Sequence, residues 1–348
     1  MTTIKKLPVS AFDRLLSRFS AGAVPSDGYA VEPFDPLRGF LFLGCSEAGE
    51  LAFVVASEGS HILPAPLRLA ALSADFGVNC VLSDGTEEHL LRVSVLRCTA
   101  SERSTGELFA TMCGALSESL LRPPTEREFS ELINRWSGLF WRLGQRVATD
   151  VVGLAGELMV IQHAHDIELW VEAWHAQPSD ILDFDFIESP ATVEVKTTRG
   201  STREHPVSLA QVSGPGLENR FFASVQIDLN DSGELLADVV RGLSDRLAAD
   251  TSRMMLWDVL TKTCGQGLDD VLSLRIDVEK AAKSLAFYRA EDIPVPMVEV
   301  PLPPGVSSLK FRSNMGLADE VLAAEVDAAI AEGLGGTKSQ QSTAFSAH

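Results

Sequence analysis

Residues 192–198 read Thr-Val-Glu-Val-Lys-Thr-Thr, a short alternating run rich in β-branched residues. Such a run fits a strand, and side chains on a strand alternate between its faces. Glu194 and Lys196 therefore share one face, while Val193, Val195 and Thr197 share the other. Two residues apart on one face, a carboxylate and an ammonium sit within about 7 Å of each other. Just upstream, residues 181–191 read Ile-Leu-Asp-Phe-Asp-Phe-Ile-Glu-Ser-Pro-Ala. Asp183 and Asp185 share a face there, with Phe184 and Phe186 opposite. A turn at Glu188-Ser189-Pro190 returns the chain as the next strand, and the hairpin sets an aspartate beside Glu194. Two carboxylates and a lysine converge on one sheet edge.

That set suits phosphodiester hydrolysis. Hard carboxylate oxygens bind Mg²⁺, which keeps several waters of its own. The bound metal lowers the pKa of a water and neutralises charge on the scissile phosphate. A fixed lysine stabilises developing negative charge or orients the attacking water. No covalent intermediate is required.

The elements that must position these groups are legible around them. Thr149 or Asp150 can cap a helix over Val-Val-Gly-Leu-Ala-Gly-Glu-Leu-Met-Val-Ile-Gln-His-Ala-His, residues 151–165. Glu157 is its only acidic, lysine or arginine residue. The helix is apolar on nearly all sides, so it should be largely buried. A buried carboxylate needs a partner or becomes neutral, and a metal at the sheet edge would supply one; the alternative is an edge residue that reaches solvent. Gly153 and Gly156 would let the helix approach the sheet closely. His163, His165 and Asp166 read as residues at a helix end, because their spacing does not match a zinc-binding pair of histidines four apart. Gly214-Pro215-Gly216 reads as a loop, since no Gly-Lys-Ser/Thr follows.

Here the chain resembles a family. Asp185, eight residues, Glu194, one residue and Lys196 resemble the signature of the PD-(D/E)XK nuclease superfamily, which includes many restriction endonucleases. The helix bearing Gly-Leu-Ala-Gly-Glu-Leu (153–158), Trp174, Asp-Phe-Asp-Phe, Glu-Val-Lys-Thr-Thr and Ser208-x-x-Gln211 are similar to a prokaryotic group of PD-(D/E)XK motif proteins found in restriction-type defence systems. The resemblance covers about residues 150–212. It implies Asp185 and Glu194 as metal ligands, Lys196 as charge stabiliser, Gln211 as a further catalytic-site residue and Glu157 as a helix-borne metal ligand. It implies Mg²⁺ as cofactor, with Mn²⁺ able to substitute. No Pro-Asp dipeptide is present, so Asp183 competes with Asp185, whose spacing to Glu194 resembles the family better.

The rest of the chain supplies context. Its 348 residues suggest two domains. Residues 39–45, 50–56, 77–84 and 89–98 read as strands separated by turn material, with Asp84-Gly85 a hairpin signal. A helix follows over about 102–121, ended by Pro123-Pro124. Thr125 and Glu128 then form a capping box opening a second helix to about Leu143. Arg127, Arg135, Arg142 and Arg146 lie along or just after it, as a solvated face or as one that contacts phosphates. Further strands are expected at 181–187, 191–197 and 220–228, and helices at 233–248, 252–263 and 317–332. The predicted fold is α/β: a β-rich N-terminal module (1–122), a restriction-endonuclease-like core of mixed sheet flanked by helices with a helical C-terminal region (123–335), and an unstructured polar tail (336–348).

Composition narrows the function. Five widely spaced cysteines form no Cys-x-x-Cys pair and read as small buried hydrophobes. The start, Met-Thr-Thr-Ile-Lys-Lys, leads into no long apolar segment, and no run is long enough to span a bilayer. A cytoplasmic protein with no membrane partner is expected. The formal charge of −19 opposes tight, autonomous DNA binding. The basic residues nearest the site, Arg199, Arg203 and Arg220, are accompanied by Glu204 and Glu218. The reading is a metal-dependent DNA endonuclease subunit that works with a partner such as an ATPase or helicase-like subunit, or by self-association. The alternatives are a non-catalytic adaptor that keeps the fold, and a hydrolase acting on nucleotides or RNA.

Overall fold

The structure, a computed structural model, describes residues 28–34, 39–59, 63–69, 71–84, 87–99, 103–143, 150–174, 182–296 and 309–332. These divide into two compact units, one drawn from 1–147 and 260–269, the other from 148–259 and 270–348.

The first unit is built on β1 (Gly28–Pro33), β2 (Leu41–Ser46), β3 (Leu51–Ala56), β4 (Leu67–Arg68), β5 (Leu72–Ser83) and β6 (Glu88–Cys98), in the order β1-β2-β3-β6-β5-β4. Neighbours along that order are antiparallel, and a parallel pairing of β1 with β5 closes five strands into a ring. The apolar positions point inward: Tyr29, Val31, Ala52, Val54, Leu82, Val93 and Val95 form one core cluster. Two helices follow, α1 (Arg103–Ser119) and α2 (Glu126–Arg142). The capping box at Thr125 and Glu128 is formed as expected: the Thr125 hydroxyl accepts from the Glu128 N–H, and the Glu128 carboxylate accepts from the Thr125 N–H. On the exposed face of α2, Arg127 pairs with Glu131 at 3.0 Å; Arg146 lies outside the described residues.

The expected boundary after residue 122 is corrected here. α2 belongs to the barrel, because Phe129 packs against Phe53 and Phe76, each with ring centroids 6.4 Å away. The expected tail, 336–348, lies outside the described residues.

The second unit opens with α3 (Val151–His163) and α4 (Ile167–Ala173). Asp150 caps α3 by accepting from the Gly153 N–H, and Asp166 caps α4 by accepting from Leu169 N–H. Thus Asp166 starts a helix that the sequence did not reveal, while His163 ends α3 as expected. A five-stranded mixed sheet follows in the order β15-β13-β10-β8-β7, from β7 (Phe184–Asp185), β8 (Thr192–Thr198), β10 (Arg220–Gln226), β13 (Ala286–Arg289) and β15 (Glu320–Val321). β8 and β10 run parallel and the other pairs antiparallel. Two small sheets complete the unit: β9 (Glu204–Ser208) with β14 (Lys310–Asn314), and β11 (Leu229–Leu235) with β12 (Arg275–Ile276). α5 (Leu236–Arg246) is shorter than expected, because residues 229–235 pair as β11. α6 (Asp250–Cys264) and α7 (Leu268–Leu272) carry the chain from this unit into the first and back, and α8 (Val278–Ser284) precedes β13. The last described helix, α9, covers 323–332.

α3 packs on β8 and β10. Gly156 makes the close approach feasible: a Cβ there would lie 2.2 Å from Thr197 Oγ1. A second core cluster, including Val207, Val212, Phe222, Tyr288 and Met315, joins the central sheet to β9 and the turn after it. The fold is α/β as expected. Among the described residues, no helix is long and apolar enough to cross a membrane.

Candidate active site

β8 carries Glu194 and Lys196 on one face, as the alternation requires. Glu194 is only 5% exposed. Its Oε1 accepts from Lys196 Nζ at 2.6 Å and from Gln211 Nε2 at 2.6 Å. Gln211 ends a 3-10 turn, Leu209–Gln211, and its own Oε1 accepts from the Ser208 N–H at 3.0 Å. Both ends of the Gln211 amide are therefore engaged, and the side chain is fixed against Glu194. Arg220, the first residue of β10, donates from Nη1 to the carbonyls of Ala210 at 2.9 Å and Gln211 at 3.0 Å. It clamps the turn that presents Gln211.

The aspartate beside Glu194 is Asp183. β7 pairs with β8 in a register that sets Phe184 opposite Val193 and Asp185 opposite Thr192. One step further, Asp183 faces Glu194. Asp183 Oδ2 accepts from the Val195 N–H at 2.7 Å. The expectation that Asp185 stands with Glu194 is not met: β7 spans two residues, its register carries Asp185 outward, and Asp185 is exposed. Asp183 also alternates to the correct face, so face parity alone did not separate the two.

Glu157 comes from α3, where Gly156 sits against β8. Its Oε2 accepts from Trp174 Nε1 at 2.7 Å. Glu157, Asp183 and Glu194 thus share one electrostatic neighbourhood with Lys196. Burial pushes the Glu157 carboxyl well above its ordinary pKa; the Asp183 charge adds to this, the Trp174 bond opposes it and the Glu194 charge adds again. Burial raises Asp183 against the pull of the Val195 N–H and Lys196. Glu194 is raised to about 7 by burial and by the Asp183 charge, with Lys196 and Gln211 pulling it down.

Behind Lys196 lies a network that sequence reading missed. Arg203 Nη1 donates to the Ser224 carbonyl at 2.8 Å and to Ser224 Oγ at 2.9 Å, and Arg203 Nη2 donates to the Ser284 carbonyl. The Ser224 hydroxyl also hydrogen-bonds with His205 Nε2, 2.9 Å away. Burial, then the charges of Lys196 and Arg203, hold the His205 pKa down at about 4. Nothing local in the sequence marks this group, since β9 is placed by β14, about a hundred residues later in the chain. Arg203 and Arg220, two of the three basic residues expected near the site, are thus bound to internal carbonyls. Arg199 remains exposed, and Glu204 pairs with Arg312 at 2.6 Å.

Among the described residues, no three acidic, histidine or cysteine side chains are arranged to hold a metal ion as they stand. Magnesium does not need three. It takes one or two carboxylates and completes its shell with water and substrate oxygens. The donor chemistry fits: three carboxyl groups with hard oxygens, Glu157, Asp183 and Glu194, gather where only Lys196 brings positive charge to Asp183 and Glu194, and all three are raised in pKa.

The family described as "Putative PD-(D/E)XK family member (DUF4420)" matches residues 29–316. The chain belongs to this family. The match spans both units, well beyond the 150–212 segment in which the motifs are legible. It accords with the α/β architecture and with a nuclease-like core. Searches of curated proteins and of solved structures gave no match.

Proposed function

We propose that this protein is a divalent-metal-dependent nuclease that hydrolyses phosphodiester bonds in DNA, with Asp183, Glu194 and Lys196 at its centre. The observation that carries the reading is the excess of buried carboxylates over cations beside one strand-borne lysine. Asp183 and Glu194 would hold Mg²⁺ or Mn²⁺, with Glu157 as the third acidic group. A bound divalent ion supplies a water of lowered pKa and charge neutralisation at the phosphate. The chain's own residues do the rest. Gln211 fixes the Glu194 carboxylate by donating to Oε1. Lys196, whose side chain is 15% exposed, offers its ammonium to the charge that develops on phosphate oxygens. His205 is held neutral behind it and adds no competing cation.

Incubation of purified protein with plasmid and single-stranded DNA tests this. At protein concentrations high enough to offset the weak DNA affinity of the isolated chain, slow cleavage is expected with Mg²⁺ or Mn²⁺ and none with EDTA. Intact DNA under every condition, together with no divalent-metal binding, would leave the non-catalytic adaptor as the reading.

The protein acts with help in this proposal. Of the three arginines nearest the site, Arg203 and Arg220 are bound internally, so Arg199 alone of that set is left to meet phosphates, in a chain of net charge −19. Each phosphate contact contributes about 0.9 to the slope of log affinity against log salt. Weak binding with a shallow slope is expected for the isolated chain near physiological salt. An ATPase or helicase-like subunit of a restriction-type defence system, or a second copy of the chain, would supply the missing affinity. Nanomolar binding with a steep slope would remove the need for one.

A further inference from the structure

Trp174 follows α4 and is 5% exposed. Its backbone is tied on two sides, by its N–H to the Val171 carbonyl at 3.3 Å and by a β-bridge to Phe184. Its ring lies nearly parallel to that of Phe184, 15° apart with centroids at 6.4 Å. Phe184 in turn takes the ring of Trp170 at 5.0 Å. A buried ring held by its backbone and by stacking has little rotamer freedom, so its single N–H points to one place. That place is Glu157 Oε2, 2.7 Å away.

The choice of donor matters. An indole has one N–H, no acceptor and no formal charge. It orients a carboxylate without supplying the positive charge that an arginine or lysine would bring. Phe184, bridged to Trp174, is the neighbour in sequence of Asp183, whose charge acts on Glu157. One aromatic unit therefore sets the helix-borne acid relative to the strand-borne one.

We propose that Trp174 is a positioning residue for the metal site, holding the Glu157 carboxylate toward Asp183 and Glu194 while leaving the site free of an additional cation. This rests on the reading of the site as a divalent-metal centre. Partners one step removed from a metal typically change affinity about 10- to 100-fold when lost. Calorimetric titration of the full chain with Mg²⁺ or Mn²⁺ alone reads this directly. Trp174→Phe, which keeps a ring and loses the N–H, should weaken binding by that factor, with thermal unfolding monitored to check the fold. Glu157→Leu should weaken it as well. Adding Trp174→Phe to Glu157→Leu should then change nothing more, because the tryptophan acts through the glutamate. Independent, additive losses would overturn the proposal, as would wild-type affinity in Trp174→Phe. A wild-type chain that binds neither ion would overturn the metal reading itself and the proposal with it.

A second measurement needs no change at Trp174. The chain has five tryptophans, and 5-fluorotryptophan labelling gives each a ¹⁹F signal. Trp→Phe changes at positions 136, 141, 170 and 257 assign the Trp174 signal by elimination. Mg²⁺ should shift that signal more than the others. A Trp174 signal that stays fixed while metal binds would refute the positioning role.

Discussion

Asp75 in the barrel unit and Glu194 in the mixed-sheet unit are both carboxylates drawn out of water beside basic side chains, yet they come to rest on opposite sides of their ordinary pKa. Burial pushes Asp75 up, but hydrogen bonds from Arg68 and Arg97, each 2.5 Å long, outweigh it and hold the carboxyl low. Arg97 is shared with the Tyr29 hydroxyl, and it also lies over the Tyr29 ring at 5.9 Å. Two cations serve one acid. Around Glu194 the ratio is reversed: Lys196 acts on Asp183 and Glu194, Glu157 adds a third acid, and burial wins at each carboxyl. A cluster that balances its own charge supports a structure. One that crowds carboxyls out of water with too few cations raises their pKa values, and is built for something that arrives later.

The sharpest way to break that contrast is by substitution at the strand pair. Asp183→Asn, Glu194→Gln and Lys196→Ala should each lower DNA cleavage by at least ~10²-fold, the scale of losing one preorganised electrostatic group. Asp185→Asn should cleave at close to the wild-type rate. An inactive Asp185→Asn beside an active Asp183→Asn would reverse the assignment made from the hairpin register.

The two clusters should also respond oppositely to pH. The folded pKa of Glu194 lies above its unfolded value, so its contribution to stability is present at low pH and lost as pH rises through about 7. Asp75 has a depressed pKa, so its contribution is present above its unfolded value and lost as pH falls through the folded one. His205, lowered to about 4, also loses stability as pH falls, and it overlaps with Glu194 in the mildly acidic range. Comparing metal-free wild type with Glu194→Gln isolates the carboxyl. Relative to the variant, wild type should lose stability as pH climbs from about 4.5 to about 7 in denaturant titrations, and level off above that. Saturating Mg²⁺ should flatten that difference, and a difference that Mg²⁺ leaves unchanged would separate Glu194 from metal binding.

Asp75→Asn should destabilise the protein by about 1–3 kcal/mol, as expected when a charged hydrogen-bonding partner is lost. It should leave divalent-metal affinity untouched, and a change in that affinity would blur the distinction between the clusters. The smallest effect is expected outside both: Thr125→Ala removes the cap of α2 and should cost ~1 kcal/mol in the same denaturant titration.

What was legible in the sequence follows from how local the determinants are. The alternation of residues 192–198, the lone acid of α3 and the Thr125–Glu128 box each depend on neighbours a few residues away, and all appear where expected. Closure of the barrel was not legible, because β1 meets β5 through Gly28 and Val81, some fifty residues apart. The assignment of α2 to the barrel depends on Phe129 finding Phe53 and Phe76. Asp183 and Asp185 have the same face and the same residue type. Only the hairpin register, set by a two-residue strand, distinguishes them.

The site's groups are drawn from one continuous stretch, Glu157 to Arg220, whereas His205's strand is locked by β14 far downstream. Loop closure costs more as the loop lengthens, though each doubling adds only about 0.6 kcal/mol. This bears on the order of folding events. The carboxylates, Lys196 and Gln211 can meet through short closures before the chain beyond residue 300 has docked, and the β9–β14 pair can form last. Refolding in Mg²⁺ should then speed an early phase more than a late one, since a cation can act as soon as its ligands have met.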